Sequence, residues 1–352
     1  MELKSLNIQN KTILYRSPYD IDTQEIHGEY AVKDNSRIKA TIPTLKYLLD
    51  QNCKIVILTW VARPQNGYEE KYSTKPHAKE LSKLLNWPVK HIEDCIGPKV
   101  QQAISQMNSK DILMLENTRF YAEDENKDDN FAKELTQGSE LIVFDAFPQA
   151  HRESASVVGI LNHLPHVMGF YMEEEYKNLS KLLNNVDHPF TIVMGGAKLE
   201  EKSETLINLG QNADNILIGG DIYSSQKKLE ELKKQLGDKM HIPATLNKGK
   251  DITKETIDEY VEIIQKSKTV FWAGPMGMYE EEEFEEGTLA IAYAIAKVRE
   301  KGGTSIVAGG DTVAALNKFS SPTLISHLSL AGGAALEFLS GKKLLAIQML
   351  CT

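Results

Sequence analysis

Short apolar runs alternate with amphipathic segments of helical period along the whole chain, a pattern typical of βαβ units built around a parallel sheet. In the first half the strand-like runs are KTILY, KIVILTW, VKHIED, DILML and ELIVF, and the helical segments include TIPTLKYLLDQN, KPHAKELSKLLN and GPKVQQAISQM. A second series, FTIVM, NILIG, TVFWA, TSIVA and TLISHL, begins after His188. The segment YMEEEYKNLSKLLNNV between the two series predicts a connecting helix. The pattern therefore predicts an α/β fold with two domains, divided near residues 168–186.

The bulk composition adds limits on location and partners. The chain has 352 residues, 41% hydrophobic and 25% charged, which is ordinary for a globular protein with room for two cores. Its formal net charge of −9 argues against a nucleic-acid binder. No membrane-length apolar run and no signal-peptide core is visible, and the three cysteines lack metal-ligand spacing. We therefore expect a cytoplasmic protein with no nucleic-acid or membrane partner.

Arginine is rare in this chain and regularly placed. Six arginines stand beside 34 lysines, and five of the six lie in the first 152 residues. Arg16, Arg63, Arg119 and Arg152 each follow a strand-like run, and Arg37 opens a helical segment. The guanidinium group binds phosphate or carboxylate through paired hydrogen bonds, and strand ends are where open α/β sheets bind ligands. The first half therefore predicts a site for a small, highly anionic substrate.

Strands of the second half end in glycine instead. The turns are Gly195-Gly196, Gly219-Gly220, Gly274 and Gly309-Gly310, and Gly332-Gly333 opens a further helix. Glycine lets backbone N–H groups approach an anion, although glycine at a strand-to-helix turn also has a purely steric explanation. Neither a P-loop nor the G-x-G-x-x-G dinucleotide motif is present. Five such turns in one sheet indicate a floor for nucleotide phosphates.

Ten collinear segments carry a family resemblance. They are DNSRIKATIPTLKYLL, ARPQNGYEEKYSTKP, DCIGP, LENTRF, DAFPQAHRESAS, MGGAKLEEK, ILIGGD, WAGPMGMYE, AGGDTVAALNKF and AGGAALEFLSGKKL. In this order they resemble the phosphoglycerate kinase family from end to end. The resemblance implies two similar-sized domains with parallel, Rossmann-like sheets joined by a hinge helix. It places an acceptor domain at 1–167, the hinge helix at 168–186, a nucleotide-binding domain at 187–337, and a tail at 338–352 that returns to the first domain.

The resemblance also implies a reaction and a set of site residues. The γ-phosphoryl group of MgATP passes to the C1 carboxylate of 3-phosphoglycerate, or back to MgADP in glycolysis, with Mg²⁺ as the cofactor and a monomer as the expected state. The substrate side is implied to comprise Asp20, Arg37, Arg63, Arg119 and Arg152, with the last three on the distal phosphate and Arg37 also catalytic. The nucleotide side is implied to comprise catalytic Lys198, Lys202, Gly195, Gly196, Gly219, Gly220, Gly310, Thr312, Glu280 at the ribose, and Asp311 at the metal.

Simpler explanations remain open for several of these residues. Arg63 and Arg119 could form surface ion pairs, which contribute little to stability. Asp311 could cap the helix that follows it, where aspartate is preferred. Glu280 begins an acidic run, EEEEFEE, that could simply be solvated.

The chain departs from the family pattern at both sites. The family's R-V-D-F-N reads Arg16-Ser17-Pro18-Tyr19-Asp20, and the usual histidine of S-H-L-G-R-P is Trp60. Ser154 replaces a second histidine, Ala273 the asparagine of W-N-G-P-M-G, and Asp221 a glycine, while Leu330-Ala331 alter the last glycine loop and the stretch 222–268 is shorter than usual. We expect the family reaction. The alternatives are a kinase for a different phosphorylated carboxylic acid and a catalytically impaired member with a binding or regulatory role.

Overall fold

The protein consists of two compact units, Met1–Glu174 together with Lys343–Thr352, and Glu175–Lys342. The computed structural model describes residues 2–65, 67–319 and 324–352. Within this described part of the chain, no helix is long and apolar enough to cross a bilayer.

Unit 1, the unit that contains the N-terminus, is built on a six-stranded parallel sheet. Its strands are β1 Thr12–Arg16, β2 Thr23–Ile26, β3 Glu29–Val32, β4 Lys54–Leu58, β5 Val89–His91, β6 Ile112–Met114, β7 Leu141–Phe144 and β8 His166–Met168. Its helices are α1 Ser36–Asp50, α2 Lys75–Leu85, α3 Pro98–Ser105, α4 Ala122–Glu125, α5 Asp129–Thr136 and the start of α6 Phe170–Asn184. The sheet order is β5-β6-β4-β1-β7-β8, and β2 and β3 form a separate antiparallel hairpin.

Unit 2, the residues Glu175–Lys342, repeats this plan. Its strands are β9 Phe190–Met194, β10 Asn215–Ile218, β11 Met240–His241, β12 Leu246–Asn247, β13 Asp251–Ile252, β14 Thr269–Ala273, β15 Thr304–Ala308 and β16 His327–Ser329. Its helices are α7 Leu199–Gly210, α8 Gln226–Leu236, α9 Lys254–Lys266, α10 Glu286–Glu300, α11 Gly310–Lys318 and α12 Gly333–Leu339. The sheet order is β11-β10-β9-β14-β15-β16, with β12 and β13 as a small antiparallel pair.

The central strands are continuous apolar runs because both faces of each sheet are covered. All residues of β7, β9 and β14 are buried, as expected for parallel strands between helical layers. Strands β1 and β7 are neighbours in unit 1, so their carboxyl ends meet at the same sheet edge. Strands β9, β10 and β14 do the same in unit 2. This arrangement brings the loops that carry the predicted site residues together within each unit.

The fold prediction is confirmed, with differences at the margins. The short strands β8 and β11 and the two hairpins were not predicted, because each has few residues and no clear alternation. The predicted strand TLISHL begins only at His327, and its Thr323 lies outside the described residues. The predicted tail ends in α13, Leu345–Leu350, and the His166 ring nitrogen Nε2 lies 3.1 Å from the Met349 carbonyl oxygen within unit 1. The functional domain boundaries stay a prediction.

Candidate functional sites

A cavity of about 170 Å³ in unit 1 brings together three of the four arginines predicted for the substrate side. Arg63, Arg119 and Arg152 all line it, and so does Asp20. Arg63 and Arg152 are exposed, whereas Arg119 is partly buried. Three guanidinium groups on so small a cavity strongly favour a polyanionic ligand such as a phosphate ester.

Arg119 is held in place from several directions. Its Nη1 donates to the Ala62 carbonyl oxygen at 2.5 Å, and its Nε lies 3.6 Å from the Glu125 carboxylate. Its guanidinium carbon lies 4.0 Å from the centre of the Trp60 ring. Burial lowers the pKa of Arg119 below its usual value, and the charge of Asp20 opposes that shift. An ion pair, the simpler explanation left open for Arg119, is therefore present with Glu125, but it engages only the Nε edge of the group.

A hydrogen bond joins Trp60 and Asp20, the two residues that replace the family histidine and asparagine. The indole Nε1 donates to Asp20 Oδ2 at 3.1 Å, and the Ala62 backbone N–H donates to Asp20 Oδ1 at 2.8 Å. The Trp60 ring also lies beside the guanidinium carbon of Arg16, at 4.5 Å from the ring centre. A charged carboxylate in this position would repel an anion if it were unpaired, and here both of its oxygens accept hydrogen bonds.

Arg16 and Arg37 differ in kind from the three cavity arginines. Arg16 is fully buried and donates through Nε to the Ser156 carbonyl oxygen at 2.9 Å. Burial lowers the pKa of Arg16 to about 10. Arg37, near the start of α1, donates through Nη1 to the Asp20 carbonyl oxygen at 2.8 Å. Arg16 is therefore a structural residue, while Arg37 lies beside the backbone of a cavity residue.

In unit 2 the glycine turns divide into two groups. A Cβ on Gly195 would lie 2.2 Å from the Pro275 carbonyl oxygen, one on Gly220 would lie 2.5 Å from the Gly196 nitrogen, and one on Gly274 would lie 2.1 Å from the Gly195 carbonyl oxygen. The backbones also exchange hydrogen bonds, such as Gly196 N–H to the Pro275 carbonyl oxygen at 2.7 Å. These three loops need glycine because they pack directly on one another.

The second group faces open space. A Cβ on Gly310 or on Gly333 would meet no heavy atom within 4 Å. Gly310 is the first residue of α11, so its N–H group belongs to a helix N-terminus, where anions are favoured. At Gly310 the lack of a side chain therefore leaves room for a ligand beside this helix N-terminus.

Lys202 supplies a cation beside the interlocked loops. Its Nζ donates to the Gly195 carbonyl oxygen at 2.5 Å, and a Cβ on Gly196 would lie 3.2 Å from that nitrogen. Burial lowers the pKa of Lys202 to about 8, and the nearby charge of Asp311 opposes the shift. A partly desolvated ammonium group next to a helix-start carboxylate fits the phosphates of a magnesium–nucleotide complex.

The other residues predicted to bind the nucleotide, Thr312, Lys198 and Glu280, lie in different surroundings. Buried Thr312 accepts the Gly274 N–H at 2.7 Å through its hydroxyl oxygen, so it braces a loop. Exposed Lys198 precedes α7, and its Nζ lies 3.5 Å from the Glu201 carboxylate. Glu280 is exposed beside Tyr279, whose pKa is raised by burial and then by the charge of Glu280. Among the described residues, no group of three or more His, Cys, Asp and Glu side chains forms a metal site.

Two residues escaped the sequence analysis. Gln149, at the end of the turn Phe147–Gln149, lines the arginine cavity although only Arg152 of its motif was singled out. Asp251 is buried, accepts the Gly287 N–H at 2.8 Å, and has its pKa raised to about 6 by burial. The signal for Gln149 was its place in a loop directly after a buried strand, while Asp251 had no local signal.

Comparison with known proteins places this arrangement in a family. A family model described as phosphoglycerate kinase matches residues 3–237 and 222–342. The phosphoglycerate kinase of Borreliella afzelii (strain PKo) is 36% identical over 384 aligned positions, which cover 97% of this chain and 96% of the relative. That of Pseudothermotoga lettingae is 35% identical over 393 positions, covering 99% and 98%.

Solved structures agree. The crystal structure of phosphoglycerate kinase from Pyrococcus horikoshii OT3 matches with a TM-score of 0.86 and 30% identity over 100% of this chain and 98% of the other. The structure of phosphoglycerate kinase from Coxiella burnetii matches with a TM-score of 0.84 and 28% identity over the same shares. The chain belongs to the phosphoglycerate kinase family.

Proposed function

We propose that the arginine cavity of unit 1 binds the phosphate of 3-phosphoglycerate and that the glycine loops of unit 2 bind MgATP or MgADP. As a member of its family the chain is a phosphotransferase with a carboxyl group as acceptor, acting in glycolysis. The observation that carries the assignment of the acceptor site is the convergence of Arg63, Arg119 and Arg152 on one cavity of about 170 Å³.

The chemistry needs charge neutralisation more than it needs an acid or a base. A C1 carboxylate oxygen attacks the γ-phosphorus, the bond to the bridging β–γ oxygen breaks, and ADP leaves with the electron pair. Both reactants are polyanions, so positioning and fixed positive charge supply most of the rate enhancement. In this proposal Arg37 stabilises the acceptor carboxylate and the transferring group, and Lys198 neutralises charge on that group.

The nucleotide site is assigned from the groups that can bind the nucleotide's phosphates. Lys202 pairs with the phosphate chain, and the N–H groups at the start of α11 complete the anion site. Asp311, an exposed carboxylate within electrostatic reach of Lys202, would ligate Mg²⁺ that arrives with the nucleotide. Phosphate oxygens and water would supply the remaining ligands, as is usual for Mg²⁺ bound with a nucleotide. Glu280 is assigned to the ribose hydroxyls.

The Asp20 substitution is compatible with this acceptor. Its carboxylate is engaged by Trp60 and by the Ala62 N–H group, and its charge lies close to Arg119. The negative charge therefore stabilises the arginine that binds phosphate. We expect the Asp20–Trp60 pair to support the acceptor site in place of the family's amide and imidazole.

The acceptor assignment is tested by removing one exposed cavity arginine. Arg152→Ala should weaken 3-phosphoglycerate binding by tenfold or more while leaving the dissociation constant for MgADP unchanged, measured by isothermal titration calorimetry. Lys133→Ala removes one exposed positive charge from α5 of the same unit and serves as the control. Equal effects of the two substitutions would reject the cavity as the phosphate site and leave another phosphorylated carboxylate, or a binding role, to be considered.

A further inference from the structure

Among the described residues, the side-chain oxygen of Gln149 in the arginine cavity is a buried acceptor without a hydrogen-bond donor. Gln149 is 2% exposed and lines the cavity. Its side-chain oxygen Oε1 has no hydrogen-bond partner among the described residues. An unpaired buried polar atom costs free energy, so its presence at a binding site calls for a partner that arrives with the ligand.

The local backbone holds Gln149 firmly. It ends the short 3₁₀ turn Phe147–Gln149 that follows β7, and Pro148 fixes one backbone angle of that turn. The Gln149 N–H donates to the Ala146 carbonyl oxygen at 3.0 Å, and the Arg152 N–H donates to the Gln149 carbonyl oxygen at 2.9 Å. The turn therefore places Gln149 and Arg152 on the same cavity.

A ligand hydroxyl group needs a hydrogen-bond acceptor, which the cavity arginines do not provide. Guanidinium groups only donate, which suits phosphate and carboxylate oxygens. A hydroxyl group on the ligand donates as well, and it requires an acceptor. Each oxygen of Asp20 already accepts one hydrogen bond, from Trp60 and from the Ala62 N–H group, whereas Gln149 Oε1 accepts none from the described residues. Pro18, at the position of the family aspartate, offers no side-chain acceptor.

We propose that Gln149 is a specificity-determining residue whose side-chain oxygen accepts a hydrogen bond from the hydroxyl of a phosphorylated 2-hydroxycarboxylate. The inference rests on the proposed function, since it takes the arginine cavity as the acceptor site. It goes further by assigning hydroxyl recognition to a residue outside the positions inferred from the family resemblance. A site built around a hydrogen bond to a hydroxyl discriminates against the analogue that lacks it, because the buried acceptor is then left unpaired.

The test compares two ligands on four proteins by isothermal titration calorimetry. The ligands are 3-phosphoglycerate and 3-phosphonooxypropanoate, which carries hydrogen in place of the 2-hydroxyl. The proteins are the natural chain, Gln149→Met, Gln149→Glu and the control Gln102→Met, which makes the same exchange at an exposed position of α3. We expect the natural chain and the control to prefer 3-phosphoglycerate by about tenfold or more.

The two Gln149 variants separate recognition from support of the fold. Gln149→Met should bind both ligands with affinities within about twofold of each other, because methionine fills the space but accepts poorly. Gln149→Glu should keep the preference for the hydroxyl while binding both anions more weakly. Equal weakening of both ligands by Gln149→Met, with the preference kept, would overturn the proposal, as would a natural chain that does not prefer 3-phosphoglycerate. Failure of the proposed function is distinguishable, because it would appear as absent phosphoryl transfer even where the binding preference holds.

Discussion

Replacing Gly274 by alanine tests whether this loop of unit 2 needs glycine in order to pack against the neighbouring loops or in order to bind the nucleotide. Gly274 has a φ angle of +95°, which L side chains rarely adopt. The added Cβ would lie 2.1 Å from the Gly195 carbonyl oxygen and 2.8 Å from the Gly196 nitrogen. Both obstacles are backbone atoms, so no side chain can move aside.

The expected loss of stability combines the cost of the positive φ angle with the cost of the backbone clash. A non-glycine residue at such a φ angle costs roughly 1–3 kcal/mol, and overpacking a close contact costs a further 1–3 kcal/mol. We expect Gly274→Ala to lower the free energy of unfolding of unit 2 by about 3 kcal/mol or more. For a unit of this size that loss lowers the unfolding midpoint by roughly 6–12 °C.

Gly310→Ala is the matched comparison in the same sheet. The new methyl group meets no heavy atom within 4 Å, and alanine is favoured over glycine in a helix. Stability should be unchanged or higher by up to about 1 kcal/mol. The methyl group would occupy the approach to the start of α11, so MgADP affinity should fall by about tenfold, or about 1.4 kcal/mol.

The assay combines calorimetric unfolding with titration of MgADP. The reasoning is refuted if Gly310→Ala loses as much stability as Gly274→Ala, since open space would then not distinguish the two glycines. It is also refuted if Gly274→Ala unfolds at the natural midpoint. Unchanged MgADP affinity in Gly310→Ala would reject the start of α11 as the phosphate site.

Three further predictions concern single side chains. The pKa of Lys202 is lowered to about 8, so the free protein loses this ammonium charge as the pH rises through 8. MgADP affinity should therefore fall between pH 7 and 9, by up to about tenfold per pH unit. The same titration of Lys202→Met should show no such fall. Trp60→Phe keeps a ring beside Arg119 but removes the donor to the Asp20 carboxylate, so chemical denaturation of unit 1 should show a loss of about 1–3 kcal/mol. Asp251→Asn sets an amide donor against one of two backbone N–H groups and should destabilise unit 2 by about 1–3 kcal/mol in the same assay.

The sequence predicted the architecture because strand runs such as TILYR and FTIVM are buried on both faces and carry an unmistakable apolar signal. The pattern also placed Arg16, Arg63, Arg119 and Arg152 after strand-like runs, but it did not separate buried Arg16 from the other three, which only the family resemblance assigned to the distal phosphate. Arg63, Arg119 and Arg152 do line one cavity. Their roles, the monomeric state and the cytoplasmic location stay predictions.

What escaped prediction depends on contacts between distant segments. Nothing local to Trp60 reveals that its ring lies against Arg119 and Arg16 or that its N–H group bonds Asp20. The glycine turns looked alike in sequence, and only the packing of one loop on another separates Gly274 from Gly310. These differences are set by tertiary packing, which a one-dimensional pattern of residue types does not contain.

The most direct test of the central claim is a coupled assay of phosphoryl transfer from MgATP to 3-phosphoglycerate. It compares the natural chain with Arg37→Ala, and with Lys39→Ala as a control that removes an exposed charge from the same helix. We predict turnover by the natural chain and the control, and a loss of at least 100-fold, about 2.7 kcal/mol, in Arg37→Ala. A folded natural chain with no turnover at saturating substrates, or an Arg37→Ala variant as active as the control, would contradict the account.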